Sequence, residues 1–202
     1  MNAPRRRGVF LDRDGVLNEL VPDRASGLAE SPLRAQDVRL AAGAAAGMRT
    51  LAEAGFALVC VSNQPAAAKG GVSVGQLAAV HERVLELLAL EGARLDASKL
   101  CLHHPRGVVP ELTGSCDCRK PAPGMLLRAA AALGLDLGRS WIVGDTDADV
   151  CAGRSAGCRT LLVECPDSAH KRIRPNDADL RAPDLASGVA LLLADAPERD
   201  SA

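Results

Sequence analysis

Two aspartates near the start of the chain have the spacing that phosphoryl-transfer chemistry needs. Asp12 and Asp14 come directly after the short apolar run 8–11, where the chain turns polar. Removing a phosphoryl group from an alcohol requires a nucleophile and a proton donor for the leaving oxygen. One of these carboxylates can hold Mg²⁺ and attack phosphorus, while the other protonates the leaving oxygen and later acts as a base. Gly15 permits the tight turn that must follow.

Further residues that this reaction would use lie elsewhere in the chain, and Ser62, Asn63 and Asp145 come after other apolar runs. Asp145 and Asp149 add carboxylates, which suit Mg²⁺ because this hard ion takes oxygen ligands. Lys120 would supply a fixed positive charge for the phosphate oxygens, and Ser62 and the Asn63 backbone would supply hydrogen-bond donors. Each pattern alone also occurs in ordinary turns and helix caps. Their combination predicts a site for phosphoryl transfer.

A second set of residues has the composition of a zinc site. Cys101 and His103 are followed, after twelve residues, by Cys116 and Cys118. Three thiolates and one imidazole complete a tetrahedral shell, so the predicted zinc is structural. His103 and His104 are adjacent and cannot both bind without distortion, and we assign His103 as the ligand. The loop is poor in apolar residues, so zinc would replace the missing core.

The order of elements predicts how these side chains come together. Apolar runs alternate with helical patterns, which indicates an α/β fold with a parallel sheet covered by helices on both faces. In such a sheet the functional site lies at the carboxyl ends of the strands. The predicted strands are 8–11, 56–61, 100–102, 141–143 and 160–163, and the predicted helices are 44–54, 74–91, 124–133 and a helix ending near 156, with a final helix around 189–193.

Four short motifs follow the strands in order: FLDRDGVLN at 10–18, VSNQ at 61–64, RKP at 119–121 and VGDTDAD at 143–149. This combination resembles the haloacid dehalogenase (HAD) superfamily of phosphohydrolases, whose domain is Rossmannoid. The resemblance implies that Asp12 is the nucleophile, forming an aspartyl-phosphate, and that Asp14 is the general acid and base. It also implies that Mg²⁺ is held by Asp12, the Asp14 backbone carbonyl and Asp145, with Asp149 supporting the metal.

The segment CLHHPRGVVPELTGSCDCRKPAPGM, which begins at the first cysteine of the predicted zinc site, narrows this resemblance. It is similar to the zinc loop of the D-glycero-D-manno-heptose 1,7-bisphosphate phosphatases, which remove the 7-phosphate. The resemblance implies that Arg119 lies near the far phosphate or the sugar. Two departures bear on specificity. Residues 65–68 replace the usual Ser-Gly-Ile segment, although Lys69 keeps the basic residue that follows it, and Thr146 stands where the family often has lysine.

Other functions remain as alternatives. A histidinol-phosphate phosphatase, or another small-molecule phosphatase of the superfamily, would use the same mechanism. A polynucleotide 3′-phosphatase is disfavoured by the absence of a basic groove pattern and the scarcity of aromatic residues. A zinc-stabilised binding module without catalysis is disfavoured because it has no need of Asp12, Asp14 and Asp145 beside Lys120.

Composition excludes several broad classes. The 202 residues are 48% hydrophobic and 24% charged, which is typical of one soluble globular domain. A net charge of −1, with no long apolar segment, indicates neither a nucleic-acid nor a membrane partner. We expect one domain at 8–194 without a separate cap domain, flexible termini at 1–7 and 195–202, and a cytoplasmic monomer that binds a small sugar phosphate.

Overall fold

The computed structural model describes residues 6–23, 27–173 and 177–195. Eight strands occur within these ranges: β1 Gly8–Leu11, β2 Val21–Pro22, β3 Ala29–Glu30, β4 Ala57–Asn63, β5 Ala97–Cys101, β6 Trp141–Gly144, β7 Arg159–Val163 and β8 Leu180–Ala182. Six of them form one parallel sheet in the order β5-β4-β1-β6-β7-β8. The other two, β2 and β3, pair as a small antiparallel hairpin. The predicted parallel α/β fold is confirmed.

Five α-helices cover the two faces of this sheet. They are α1 Ala44–Glu53, α2 Val74–Leu90, α3 Gly124–Leu133, α4 Asp147–Ala156 and α5 Leu185–Asp195. Because side chains alternate across a strand, Val9 and Leu11 of β1 pack with α1, α2 and α5, and Phe10 packs with α3 and α4. Both faces of the central strands are therefore buried.

Strand order places one edge of the sheet in position to carry a site. β1 lies in the middle, with β4 on one side and β6 on the other, and Leu11 stands level with Cys60 and Val143 in these strands. The chain turns back across the sheet between β5 and β6, so its direction of winding reverses beside β1. Such a reversal leaves a crevice at the carboxyl ends of the strands. Asp12 and Asp145 are the first residues beyond two of these ends.

Three details differ from the sequence-based expectation. No strand or helix is predicted for residues 166–183, but they contain a 3-10 turn at Pro166–Lys171 and the edge strand β8. With only three residues, of which Ala182 alone is buried, β8 has no recognisable pattern. The strand predicted at 100–102 begins at Ala97, because an edge strand that is half-buried tolerates Ser98 and Lys99. The segment 18–37, where no strand is predicted, contains the β2–β3 hairpin.

The prediction of flexible termini at 1–7 and 195–202 falls mostly outside the described residues. Of those that are described, Arg6 forms a bridge with Leu135 and Asp195 ends α5. Among the helices that the structure describes, none has the length and apolar character that a membrane crossing requires.

Candidate active site

Asp12 is fixed at the end of β1 by contacts from three directions. Its backbone N–H donates to the Val143 carbonyl at 2.9 Å, which ties it to β6. Its Oδ1 accepts from the Arg13 backbone N–H at 2.7 Å and lies 3.0 Å from the Lys120 ammonium nitrogen. The residue is only 8% exposed. The carboxylate therefore has one orientation, at the bottom of the crevice that the strand order creates.

Lys120 is a buried cation with all of its donors engaged. Its Nζ lies 2.5 Å from Asp149 Oδ1, donates to the Val61 carbonyl at 2.7 Å, and forms the ion pair with Asp12. The Asn63 side chain holds the Lys120 backbone through two reciprocal hydrogen bonds of 3.0 Å. Burial alone would lower the pKa of Lys120, but the charges of Asp12 and Asp149 outweigh it and raise the pKa above its usual value. The ammonium is therefore charged at any physiological pH.

Asp145 brings a further carboxylate next to Asp12. The carboxylate oxygens of Asp12, Asp145 and Asp149 lie within 4.8 Å of one another. Burial, reinforced by the charges of the other two aspartates, raises the pKa of Asp145 to about 8, and its Oδ1 has no hydrogen-bond partner within the described protein. Burial likewise raises the pKa of Asp12 to about 6, although Lys120 opposes it. Three carboxylates faced by one lysine form an oxygen donor set that fits a divalent cation such as Mg²⁺.

Two close contacts explain why the motifs contain Gly15 and Thr146. Gly15 has a φ of +88°, and a Cβ at this position would lie 2.2 Å from Asp145 Oδ2. Only glycine therefore leaves room for that carboxylate. At the start of α4, Asp149 Oδ2 accepts from the backbone N–H and hydroxyl of Thr146, at 3.1 and 2.6 Å. Thr146 thus orients Asp149, and both Asp149 oxygens are already engaged, unlike Oδ1 of Asp145.

Asp14 lies in a dense network of donors. Arg13 donates to both of its oxygens, at 3.1 and 3.0 Å, Asn18 Nδ2 donates at 2.9 Å, and Gln64 Nε2 donates at 2.6 Å. Burial alone would raise the pKa of Asp14, but the Arg13 charge and the hydrogen bonds from Asn18, Gln64 and Ser31 lower it below the usual value. The structure thus favours the carboxylate form.

Ser62 and Asn63 lie at the end of β4, beside the aspartates, as predicted from VSNQ. Ser62 is 1% exposed, and its hydroxyl accepts from Gln64 Nε2 at 3.0 Å. Sequence reasoning missed Gln64, Asn18 and Arg13 as parts of the site, although all three stand inside the quoted motifs. A polar side chain within an otherwise apolar strand-end motif was the signal that could have found them.

Cys101, His103, Cys116 and Cys118 come together as predicted. Cys118 Sγ lies 3.1 Å from Cys101 Sγ, 3.2 Å from Cys116 Sγ and 3.4 Å from His103 Nδ1. Cys101 Sγ and Cys116 Sγ are 3.6 Å apart. All three sulfur pairs are too far apart for a disulfide and somewhat closer than the about 3.8 Å that tetrahedral Zn–S geometry gives. His104 is turned away, its Nδ1 accepting from the Arg106 backbone N–H. The donor set fits zinc.

The cysteine loop, residues 101–118, packs against the loop that follows β4. The backbone N–H groups of Val108 and Val109 both donate to the Ala68 carbonyl, at 2.7 and 3.2 Å. A Cβ on Gly107 would lie 2.9 Å from that same carbonyl oxygen, so the contact requires glycine. This contact fixes the segment 65–70, in which the sequence departs from the usual family pattern.

Two cations flank this contact. Arg119 Nη1 donates to the carbonyl of His103 at 3.4 Å, so a residue of the cysteine cluster places it. Partial burial, together with the nearby charges of Arg119 and Lys69, lowers the pKa of His104. Within the described part of the chain, no carboxylate pairs with Arg119 or Lys69. Their positive charge is available to an anion.

Comparison with known proteins gives a consistent picture. A family model described as HAD-hydrolase-like matches residues 117–187. A D-glycero-beta-D-manno-heptose-1,7-bisphosphate 7-phosphatase of Rhodopseudomonas palustris is 38% identical over 166 residues, covering 82% of this chain and 88% of that protein. A D-glycero-D-manno-heptose-1,7-bisphosphate 7-phosphatase of Thermosynechococcus vestitus is 42% identical over 163 residues, covering 79% of each.

A solved structure shares the fold over nearly its full length. The crystal structure of D,D-heptose 1,7-bisphosphate phosphatase from B. bronchiseptica, complexed with magnesium and phosphate, has a TM-score of 0.78 and 28% identity, covering 94% of this chain and 99% of that one. Fold and site together define a HAD-like hydrolase. More narrowly, the chain belongs to the family of D-glycero-D-manno-heptose-1,7-bisphosphate 7-phosphatases, and it is a phosphoric monoester hydrolase.

Proposed function

We propose that the protein hydrolyses the 7-phosphate of D-glycero-D-manno-heptose 1,7-bisphosphate in a Mg²⁺-dependent reaction with Asp12 as the nucleophile. The observation that carries the proposal is the buried group at the ends of β1 and β6. There, Asp12 Oδ1 stands 3.0 Å from Lys120, and the oxygens of Asp145 and Asp149 lie within 4.8 Å. The substrate is inferred from the names of the relatives.

The reaction has two steps, in which Asp12 carries the phosphoryl group and Asp14 transfers the protons. First, an Asp12 oxygen attacks phosphorus, the bond between phosphorus and the sugar oxygen breaks, and that oxygen takes a proton from Asp14. The products are the free hydroxyl and an aspartyl-phosphate. Next, Asp14 removes a proton from a water molecule whose oxygen attacks phosphorus, which releases inorganic phosphate and regenerates Asp12.

The electrostatics of the site suit each role. Bound Mg²⁺, held by Asp12, Asp145 and the Asp14 carbonyl with Asp149 in support, would neutralise negative charge and keep Asp12 ionised. Lys120 would stabilise the charge on the transferring phosphoryl oxygens, assisted by Ser62 and the Asn63 backbone. A dianionic phosphate raises the pKa of a neighbouring carboxylate, which favours the protonated Asp14 that the first half-reaction needs.

The second phosphate of the substrate would be bound at the cysteine loop. Lys69 and Arg119 are cations without carboxylate partners in the described structure, and both lie beside the loop that packs on residues 65–70. We assign them to the far phosphate or the sugar. Structural Zn²⁺ at Cys101, His103, Cys116 and Cys118 would hold this loop in place.

The experiment is phosphate release with Mg²⁺ from the α and β anomers of the heptose bisphosphate and from histidinol phosphate. ³¹P NMR identifies which phosphate is lost. We expect loss of the 7-phosphate, strong preference for one anomer and poor activity on histidinol phosphate. Comparable rates on all three would contradict the substrate, while leaving the mechanism to be tested separately.

Acid quenching during turnover tests the mechanism. The wild-type chain should carry acid-stable label from ³²P-labelled substrate, and peptide mapping should place it on Asp12. Asp12→Asn should carry none. Asp37→Asn is the matched control, since Asp37 is a surface carboxylate paired with Arg34. Label on another residue would overturn Asp12 as the nucleophile.

A further inference from the structure

Arg13 stands between the two reactive aspartates and points into the protein. It is 0% exposed, and its Nε and Nη2 donate to the two oxygens of Asp14 at 3.1 and 3.0 Å. A buried guanidinium requires a paired carboxylate, and side-by-side pairing fixes the plane of both groups. The orientation of the Asp14 carboxylate therefore depends on the orientation of Arg13.

The remaining nitrogen of this guanidinium, Nη1, has no partner among the described residues. Arg13 Nη1 is buried without a hydrogen bond, and so are Asn18 Oδ1 and both ring nitrogens of His81. Asn18 belongs to the same group, because its Nδ2 donates to Asp14 Oδ1 at 2.9 Å. His81 comes from a distant part of the chain, on helix α2, and is only 9% exposed.

His81 lies within electrostatic reach of this group. Burial, and after it the charge of Arg13, lowers the pKa of His81 to about 4, with Asp14 acting in the opposite sense. The imidazole is therefore neutral at physiological pH and carries one acceptor nitrogen. Arg13 Nη1 offers donors only, so the unpartnered atoms of the two side chains are complementary.

The position of His81 on its helix adds a second reason. The buried face of α2 consists of Leu77, Val80, Val84 and Leu88, together with His81. An aliphatic residue would complete this face without burying polar nitrogens, which are unfavourable in a core unless they are hydrogen-bonded. A histidine at this position is explained if its ring has a polar partner. The buried guanidinium of Arg13, which influences the pKa of His81, is the candidate.

We propose that His81 and Arg13 are positioning residues for the acid–base aspartate: the imidazole of His81 holds the Nη1 edge of Arg13 through one internal water, and Arg13 holds the Asp14 carboxylate. The inference rests on the proposed function, because it assigns Asp14 the role of general acid and base. Neither residue touches the substrate. Helix α2, which lies outside all four motifs, thereby contributes to the chemistry.

The test compares His81→Leu, which keeps the volume and removes both nitrogens, with His81→Gln, which keeps a donor and an acceptor. The leucine variant should melt no lower than wild type. Its kcat on the alkyl phosphate that wild type hydrolyses fastest should fall about tenfold, with KM changed less than about twofold. The glutamine variant should recover kcat to within about threefold of wild type. Val84→Ala, a packing change on the same helix face, should lower the melting temperature and leave kcat unchanged.

A second substrate separates positioning from general damage. p-Nitrophenolate leaves without protonation, so formation of the aspartyl-phosphate from p-nitrophenyl phosphate does not need Asp14 as an acid. In a single turnover, His81→Leu should slow nitrophenol release by less than about twofold and slow the alkyl phosphate by about tenfold. Arg13→Lys, which keeps the charge but not the paired geometry, should show the same selectivity with a larger loss.

Three results would overturn the inference. One is a His81→Leu variant with wild-type kcat, another is a glutamine variant no better than the leucine variant, and the third is equal slowing of both substrates. Failure of the proposed function looks different: the wild-type chain would lack phosphatase activity, or Asp12→Asn would retain it. In either of those cases the inference falls as well.

Discussion

The two candidate metal sites of this protein are built in opposite ways. At the carboxylate site Asp12, Lys120, Asp145 and Asp149 are each at most 8% exposed. The three aspartates stand at strand and helix ends that the core has already fixed, and Asn63 at the end of β4 holds the Lys120 backbone. At the cysteine site only Cys101 is buried, while His103, Cys116 and Cys118 are partly exposed on an irregular loop. The carboxylate site is positioned by the fold, and the cysteine loop must be positioned largely by its ligands.

This difference separates chemistry from recognition. A preorganised, water-poor site stabilises charge in the transition state without rearranging, which suits Asp12 and Lys120. A loop held by a metal can carry Arg119 and contact the segment around Lys69 without burying apolar residues. We therefore expect changes at the carboxylates to affect turnover, and changes at the cysteines to affect stability and substrate binding.

The largest expected effect is at the proposed nucleophile. Asp12→Asn should lower kcat on the order of 10⁴-fold, because an amide cannot attack phosphorus as the Asp12 carboxylate would. Its melting temperature should be equal to or above that of wild type, since the amide relieves repulsion among buried aspartates. Steady-state phosphate release and calorimetry provide both readings. A large loss of stability would mean that the charge of Asp12, rather than the surrounding fold, holds the site together.

Next is the cysteine cluster. Cys118→Ser, or chelation of zinc, should lower stability by about 3 kcal/mol and the melting temperature by about 6–12 °C. Cys151→Ser is the matched control, because Cys151 is an exposed thiol outside the cluster. An unchanged melting temperature in metal-stripped protein would contradict a structural role for this cluster.

A smaller effect is expected where the two regions meet. Arg119→Met should raise KM for the heptose bisphosphate about tenfold, change kcat less than about threefold, and leave p-nitrophenyl phosphate kinetics unaltered. Arg94→Met, at an exposed arginine after α2, should change nothing. Equal losses on both substrates would place Arg119 at the transferred phosphate instead.

The last expected effect concerns pH and the buried imidazole. Folded His81 stays neutral down to a pKa of about 4, whereas the unfolded chain takes up a proton below about 6.5. Stability that is fully present above pH 6.5 is thus lost as the pH falls toward 4. At pH 5, His81→Leu should avoid about 2 kcal/mol of this loss. Urea unfolding at pH 7.5 and pH 5 measures the change, and the difference between Val84→Ala and wild type should not depend on pH.

Much of the carboxylate site could be predicted because several of its residues occupy the same kind of position, directly after a predicted strand. Asp12, Ser62 and Asp145 each follow an apolar run, and the carboxyl ends of parallel strands meet at one edge. The clustering of the three cysteines with His103 was predictable because this set of thiolates and imidazole at this spacing is typical of zinc sites. In both cases local sequence patterns and a single rule of topology were sufficient.

What escaped prediction depends on contacts between distant segments. Asn63 was expected to offer its backbone to the phosphate, yet its side chain holds the backbone of Lys120, 57 residues away. His81 falls inside the predicted helix 74–91, and its burial follows from how α2 packs against the sheet. The edge strand β8 was missed because three residues with one buried alanine carry no periodicity.

One measurement tests the division between the two regions most directly. The kcat/KM of the heptose bisphosphate is compared with that of p-nitrophenyl phosphate, in Mg²⁺, before and after removal of zinc at a temperature where both forms remain folded. We predict that the heptose value falls at least about tenfold while kcat on p-nitrophenyl phosphate stays within about threefold. An equal fall for both substrates would show that the cysteine loop supports the catalytic aspartates themselves, and would contradict this account.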